Sequence, residues 1–147
     1  MKPINEMRLR IESRSVNEAF ARAAVAAFVS QLDPTLEEIS DIKTAVSEAV
    51  TNCIVHAYAD SVGQIYIWAG LYEDCGVRIK IRDTGCGIED VKKAMEPLYT
   101  TLGEERAGLG FAVMESFCDR LGVRSAPGKG TTVTLTKYIK GRNGGDD

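Results

Sequence analysis

The chain has 147 residues, is 44% hydrophobic and 27% charged, and carries a net charge of −3, with a pI near 5.3. That length suits one domain that buries its own core without disulfides or a structural metal. The acidic balance argues against a nucleic-acid partner, which needs a basic footprint. The longest purely apolar run, Ala23–Val29, is seven residues, against the ~18 of a membrane helix.

Met7–Ile11 alternates as a half-buried strand does. Val16, Phe20, Ala23, Ala27 and Phe28 then recur at helical spacing and predict a helix over about residues 16–32. Asp33-Pro34 reads as an N-cap residue followed by proline at the first helical position. Ile39, Ile42, Val46, Val50 and Cys53 carry the second helix to about Ala57–Tyr58. Residues 65–71 and 77–82 alternate around the turn Glu73–Gly76, which predicts a hairpin. The turn Asp83–Gly87 leads to an expected short helix at 89–95. Pro97–Gly110 has no period and reads as a long loop of the kind that often carries function. A helix is predicted from about Gly110 to Arg120 with Val113, Phe117 and Leu121 inward. Strands follow at 121–126 and 132–136 around the turn Pro127–Gly130.

Strands joined by tight turns are antiparallel, and helices gathered on one face of them make a two-layer α+β sandwich. The expected sheet is mixed, mostly antiparallel. The expected organisation is one domain over 1–140 and a polar, glycine-rich, disordered tail over 141–147. Cys53, Cys75, Cys86 and Cys118 have no zinc spacing, and the single histidine, His56, makes a dedicated zinc site improbable. Free thiols and the lack of an apolar h-region point to the cytoplasm and away from secretion or a membrane.

Four short motifs stand out. Glu48, Asn52 and His56 are spaced i, i+4, i+8 and fall on one helical strip, away from the core stripe of Val46 and Val50. A solvated helix face explains them; so does a shared task, since an amide oxygen ligates a hard cation such as Mg²⁺ and a carboxylate one turn away accepts a proton from a hydroxyl. Asp83-Thr84-Gly85-Cys86-Gly87 is either a plain strand-to-helix turn or a site where glycines admit a flat ligand and the aspartate accepts from an exocyclic amino group. Gly108-Leu109-Gly110, preceded by Arg106, reads as a helix entry, where free N–H groups and the dipole seat phosphate. Gly128-Lys129-Gly130-Thr131 equally suits a hairpin turn. P-loop, nucleophile-elbow and protein-kinase signatures are absent.

In this order the motifs resemble the N, G1, G2 and G3 boxes of the GHKL ATPases, over about residues 7–138. Ser47–Tyr58, Pro97–Thr101 and Glu105–Phe111 look more narrowly like the bacterial anti-sigma serine kinases, and the intact Asp83–Ile88 stretch is most similar to their sporulation branch. The resemblance implies a Bergerat fold with a lid over about Pro97–Gly110, binding ATP/ADP and Mg²⁺. It implies Glu48 as catalytic base, Asn52 as Mg²⁺ ligand and Asp83, assisted by Thr131, on the adenine amino group. Gly85, Gly87, Gly108, Leu109 and Gly110 would shape the pocket and hold the phosphates. Arg106, which stands where many members have a lid glycine, would reach the γ-phosphate.

The implied function is double: binding a sporulation sigma factor, sigma factor F, away from RNA polymerase, and phosphorylating a serine on an anti-anti-sigma factor, as a homodimer. Arg22, set among Ala21, Ala23 and Ala24, is either an ordinary surface arginine or a partner anchor. A histidine-kinase-like domain acting in trans and a non-catalytic ATP-dependent binding module are the alternatives.

Overall fold

Parity along the strands decides what each side of the sheet presents. In the strand Gly76–Asp83 (β3), Val77, Ile79, Ile81 and Asp83 are buried while Arg78, Lys80 and Arg82 are exposed. A computed structural model describes residues 1–88 and 104–141, with the backbone alone for residues 104–109. The remaining elements are β1 (Asn5–Glu12), α1 (Asn17–Val29), α2 (Leu36–Asn52), β2 (Gln64–Leu71), α3 (Glu104–Phe117), β4 (Arg120–Ala126) and β5 (Gly130–Tyr138).

The five strands form one sheet in the order β1-β2-β3-β5-β4. Every pairing is antiparallel, so the expected mixed sheet is antiparallel throughout the described residues. The register sets Ile65 opposite Asp83 and Ile81 opposite Val133. Those inward side chains pack with Ile42, Ala45, Val46, Ala49 and Val50 of α2 and with Phe111 and Met114 of α3 in a single core. The α+β sandwich with its helices over one face is therefore the architecture observed.

The helices depart from expectation in their phase and their ends. The buried stripe of α1 is Ala21, Val25, Ala26 and Val29, and Val16 and Phe20 are exposed. The period was legible but two rows of apolar residues compete for the inward face, and the smaller row fits against α2. Asp33 does not cap α2; it lies in the left-handed region at φ 51°. Thr35 is the N-cap, its hydroxyl accepting from Glu38 N–H at 3.1 Å while Glu38 accepts from Thr35 N–H at 2.9 Å. This reciprocal box satisfies two donors that the helix start leaves open, so Pro34 stands outside the helix. Glu38 also accepts from Lys140 and Gly141 N–H, and the buried Gly141 is thereby tied to α2.

Helix α3 begins at Glu104, six residues before the expected Gly110. Glu104, Glu105, Arg106 and Ala107 are good helix formers, and acidic residues in a first turn favour the dipole. Phe111 and Met114 face the core, and Phe117, expected inward, is exposed. The expected helix at 89–95 and residues 97–103 of the expected lid lie outside the described residues, and residues 104–110 of that lid are helical. No helix among the described residues is long and apolar enough to cross a membrane. Thr35→Ala should lower the unfolding free energy by about 1 kcal/mol, read by denaturant titration, because the hydroxyl that accepts from Glu38 N–H is removed while the backbone N–H bond to Glu38 is kept.

Candidate nucleotide site

The site assembles around the last turns of α2. Glu48 and Asn52 lie one turn apart, as the spacing predicts. Beyond Asn52 the helix does not continue at the same pitch. Residues Cys53–Ala57 form a π turn, with Tyr58 N–H donating to Cys53 O at 3.1 Å. The wider turn means that the even strip expected to run on to His56 ends at Asn52. Cys53 keeps the inward phase of the α2 core stripe, its N–H donating to Ala49 O, and its thiol donates to Asp83 Oδ2 at 3.5 Å. Such turns frequently mark functional sites in helices.

Asp83 ends β3 on the buried face. Its Oδ1 accepts from Gly85 N–H at 2.9 Å and from Thr131 N–H at 3.2 Å. Thr131 was expected to assist base recognition, and its backbone holds the carboxylate. Its hydroxyl is engaged with Ser125 Oγ at 2.7 Å. Burial pushes the Asp83 carboxyl above its ordinary value, against the lowering effect of the Gly85, Cys53 and Thr131 donors and the Arg82 charge. Burial also pushes the Cys53 thiol well up, with the Asp83 charge adding to it, so Cys53 stays a neutral donor.

The G1 loop is fastened to the π turn. Tyr58 Oη donates to Gln64 O and accepts from Thr84 N–H, both at 2.7 Å, and Cys86 N–H donates to Ala57 O. A side chain at Gly85 would strike the Ala57 carbonyl, and one at Gly87, where φ is 75°, would strike the Ala126 carbonyl. These two glycines thus admit the protein's own backbone, where a flat ligand was the expectation. Cys53, Tyr58 and Ser125 are site residues that motif reading missed. No local pattern marks them, because they act through partners at least six residues distant.

Gly110 brings α3 onto α2. A Cβ there would lie 3.2 Å from both Asn52 amide atoms and from Glu48 Oε2, so only a glycine allows this approach without a shift. Gly108, Leu109 and Gly110 are inside α3 and not at its N-terminus. The phosphate seat expected from a helix entry at these residues is therefore not where the helix begins. Arg106 is in the first turn of α3; its side chain lies outside the described residues, as do those of Gly108's neighbour Leu109 and the rest of the lid.

Asn52 Nδ2 is buried without a hydrogen-bond partner among the described residues. An unpaired buried amide is costly, and a polar ligand beside it would remove that cost. The donor set, a carboxamide and a carboxylate oxygen, is the hard-oxygen kind that suits Mg²⁺. The described residues hold no cluster of three or more His, Cys, Asp or Glu side chains fit for a metal. Asn52 and Glu48 with phosphate oxygens fit the ion; the described residues by themselves make no cage for it.

Arg22 reaches this region from α1. Its Nη1 is 3.5 Å from Ser47 Oγ and 3.5 Å from Glu18 Oε1. It lines a cleft of about 420 Å³ together with Ser40, Lys43, Thr44, Ser47 and Glu48. A larger concavity of about 680 Å³ lies across the sheet, on the outer face near Tyr66 and Trp68, and none of Glu48, Asn52 and Asp83 lines it.

Three comparisons bear on the family and the fold. A family profile described as a histidine kinase-like ATPase domain matches residues 11–137. A protein of Caldanaerobacter subterraneus subsp. tengcongensis named anti-sigma F factor is 61% identical over 140 residues, covering 95% of this chain and 96% of its own. One of the same name from Geobacillus kaustophilus is 52% identical, covering 92% and 93%. The crystal structure of the RsbU and RsbW domains of Rv1364c from Mycobacterium tuberculosis superposes with a TM-score of 0.68 at 24% identity, over 93% of this chain and 33% of that one. At that identity it speaks for the fold alone.

The raised carboxyl of Asp83 has a consequence for stability. A carboxyl raised on folding contributes stability that is fully present below its unfolded pKa and lost as pH rises through its folded pKa. At neutral pH the charge works against the fold. Asp83→Asn should therefore unfold at the same or a higher temperature than the parent at neutral pH, with the gap closing on acidification. Thermal melts across that pH range check the sign.

Proposed function

This chain belongs to the anti-sigma F factor family, built on a histidine kinase-like ATPase domain, and we propose that it holds sigma factor F away from RNA polymerase and phosphorylates a serine of an anti-anti-sigma factor with ATP. The observation that carries the reading is the meeting of α2 and α3 at Gly110, where Glu48 and Asn52 face α3, while Glu48 also lines the cleft shared with Arg22 of α1. A nucleotide site and a protein-facing cleft thus share one carboxylate.

Phosphoryl transfer depends mainly on positioning and electrostatics. Mg²⁺, when bound, would offset the charge of the phosphates, with Asn52 Oδ1 as its protein ligand. Asp83 Oδ2 accepts the adenine amino hydrogen at the far end of the same pocket. Glu48 takes the proton of the acceptor serine as its oxygen bonds to the γ-phosphorus and the bond to ADP breaks. Arg106 carries the cation for the terminal phosphate, and Gly108, Leu109 and Gly110 keep α3 close to it. Arg22, which lines the cleft with Glu48, anchors the protein partners. We place the activity in the cytoplasm and in a homodimer, with one domain ending near residue 140.

The relatives found are anti-sigma F factors, and no observation here favours the reading as a histidine kinase in trans. A purely binding module would not need Glu48 at the mouth of the cleft. Labelled ATP, the chain and an anti-anti-sigma protein should together give phosphoserine. Glu48→Gln should keep nucleotide binding and cut transfer by roughly 10²–10⁴; transfer at the parental rate would make Glu48 a solvated helix residue. Arg22→Ala should leave ATP affinity intact and weaken one or both protein complexes by about 2 kcal/mol or more, read by calorimetry with each partner.

A further inference from the structure

Asp83 offers roughly four lone-pair positions on its two oxygens. The described residues fill three of them. Gly85 N–H and Thr131 N–H occupy Oδ1, and the Cys53 thiol occupies one side of Oδ2. The carboxylate is planar and one torsion, χ2, sets both of its oxygens; the backbone donors bear on that torsion at Oδ1 and the thiol bears on it at Oδ2.

We propose that Cys53 is a positioning residue for base selection: its thiol sets the plane of the Asp83 carboxylate so that the one vacant acceptor position of Oδ2 meets a donor on the six-position of a purine. The inference rests on the reading of Asp83 as the adenine acceptor. An amino group at that position completes the carboxylate's hydrogen bonding. An oxo group at that position presents a second acceptor and gains nothing.

The thiol is held as firmly as the group it orients. Cys53 is 4% exposed and opens the π turn, with its carbonyl bonded by Tyr58 N–H. The Tyr58 side chain grips Thr84 at 2.7 Å, the residue that follows Asp83. Helix end and strand end are therefore pinned on both sides of the carboxylate, and the thiol bond closes the frame. Hydrogen bonds weaken steeply as they lose alignment, so a carboxylate free to rotate serves the amino group less well. An oxo base, which never made the bond, loses nothing.

The test is calorimetric binding of ATP and of inosine triphosphate to the whole chain with Mg²⁺, for the parent, Cys53→Ala and Cys53→Ser, with thermal melts to show that each variant is folded. The expected result is a loss of ATP affinity of about fivefold in Cys53→Ala, unchanged inosine triphosphate binding, and recovery in Cys53→Ser, whose hydroxyl restores the donor. Parental ATP affinity in Cys53→Ala, an equal loss for both nucleotides, or a serine variant that behaves as alanine would each overturn the role of the thiol while leaving Asp83 as the adenine acceptor. A parent that binds both nucleotides equally would remove the adenine reading itself, and the thiol's role with it.

Discussion

A carboxylate on the buried side of a sheet is the constraint on which the site depends. The period of two that sends Val77, Ile79 and Ile81 inward also sends Asp83 inward. Burying a charge is costly unless hydrogen bonds meet it, and Asp83 is met from three separate places: the G1 loop, the start of β5 and the π turn. Two of these contacts tighten packing that the β3–β5 pairing and the common core already set, and together they offset the cost of the buried carboxylate and hold strand, hairpin and helix in register around it.

Helix α2 serves two faces at once. Its Ile42, Val46, Ala49 and Val50 belong to the core, and its Glu48 and Asn52 do not. Because the capping box fixes the start of the helix and the core stripe fixes its rotation, the outer strip has no freedom left, and Glu48 is delivered between the nucleotide side and the Arg22 cleft. The π turn at the end then breaks the pitch. An unbroken α-helix would carry the strip past Asn52 and would not give the Cys53 carbonyl to Tyr58 N–H, the residue whose hydroxyl holds Thr84.

Much of this was legible in the sequence. The strands and their pairing followed from alternation and tight turns, and Glu48 and Asn52 lie on the helix that their spacing predicts, whereas Asp83, expected in the turn, is the last residue of β3 and Gly110, expected at a helix entry, lies inside α3. What sequence misplaced depends on competition between comparable local choices. Asp33-Pro34 and Thr35-Leu36-Glu37-Glu38 are both helix starts on paper, and the reciprocal bonds of Thr35 and Glu38 prevail. The glycines of Gly108-Leu109-Gly110 suggested a helix entry, yet the cost of glycine inside a helix, about 1 kcal/mol each, is accepted where Gly110 lets α3 touch Asn52. Cys53 and Tyr58 were read as a core residue and a helix end. Their roles lie in contacts 30 and 26 residues away in the chain, which no local pattern records.

The most direct test of the account is an experimental structure of the chain with Mg²⁺ and a non-hydrolysable ATP analogue. It should show the exocyclic amino nitrogen within hydrogen-bond distance of Asp83 Oδ2 and the terminal phosphate beside Asn52 and Glu48. A nucleotide seated instead in the outer concavity by Tyr66 and Trp68, with Asp83 and Asn52 untouched, would contradict it.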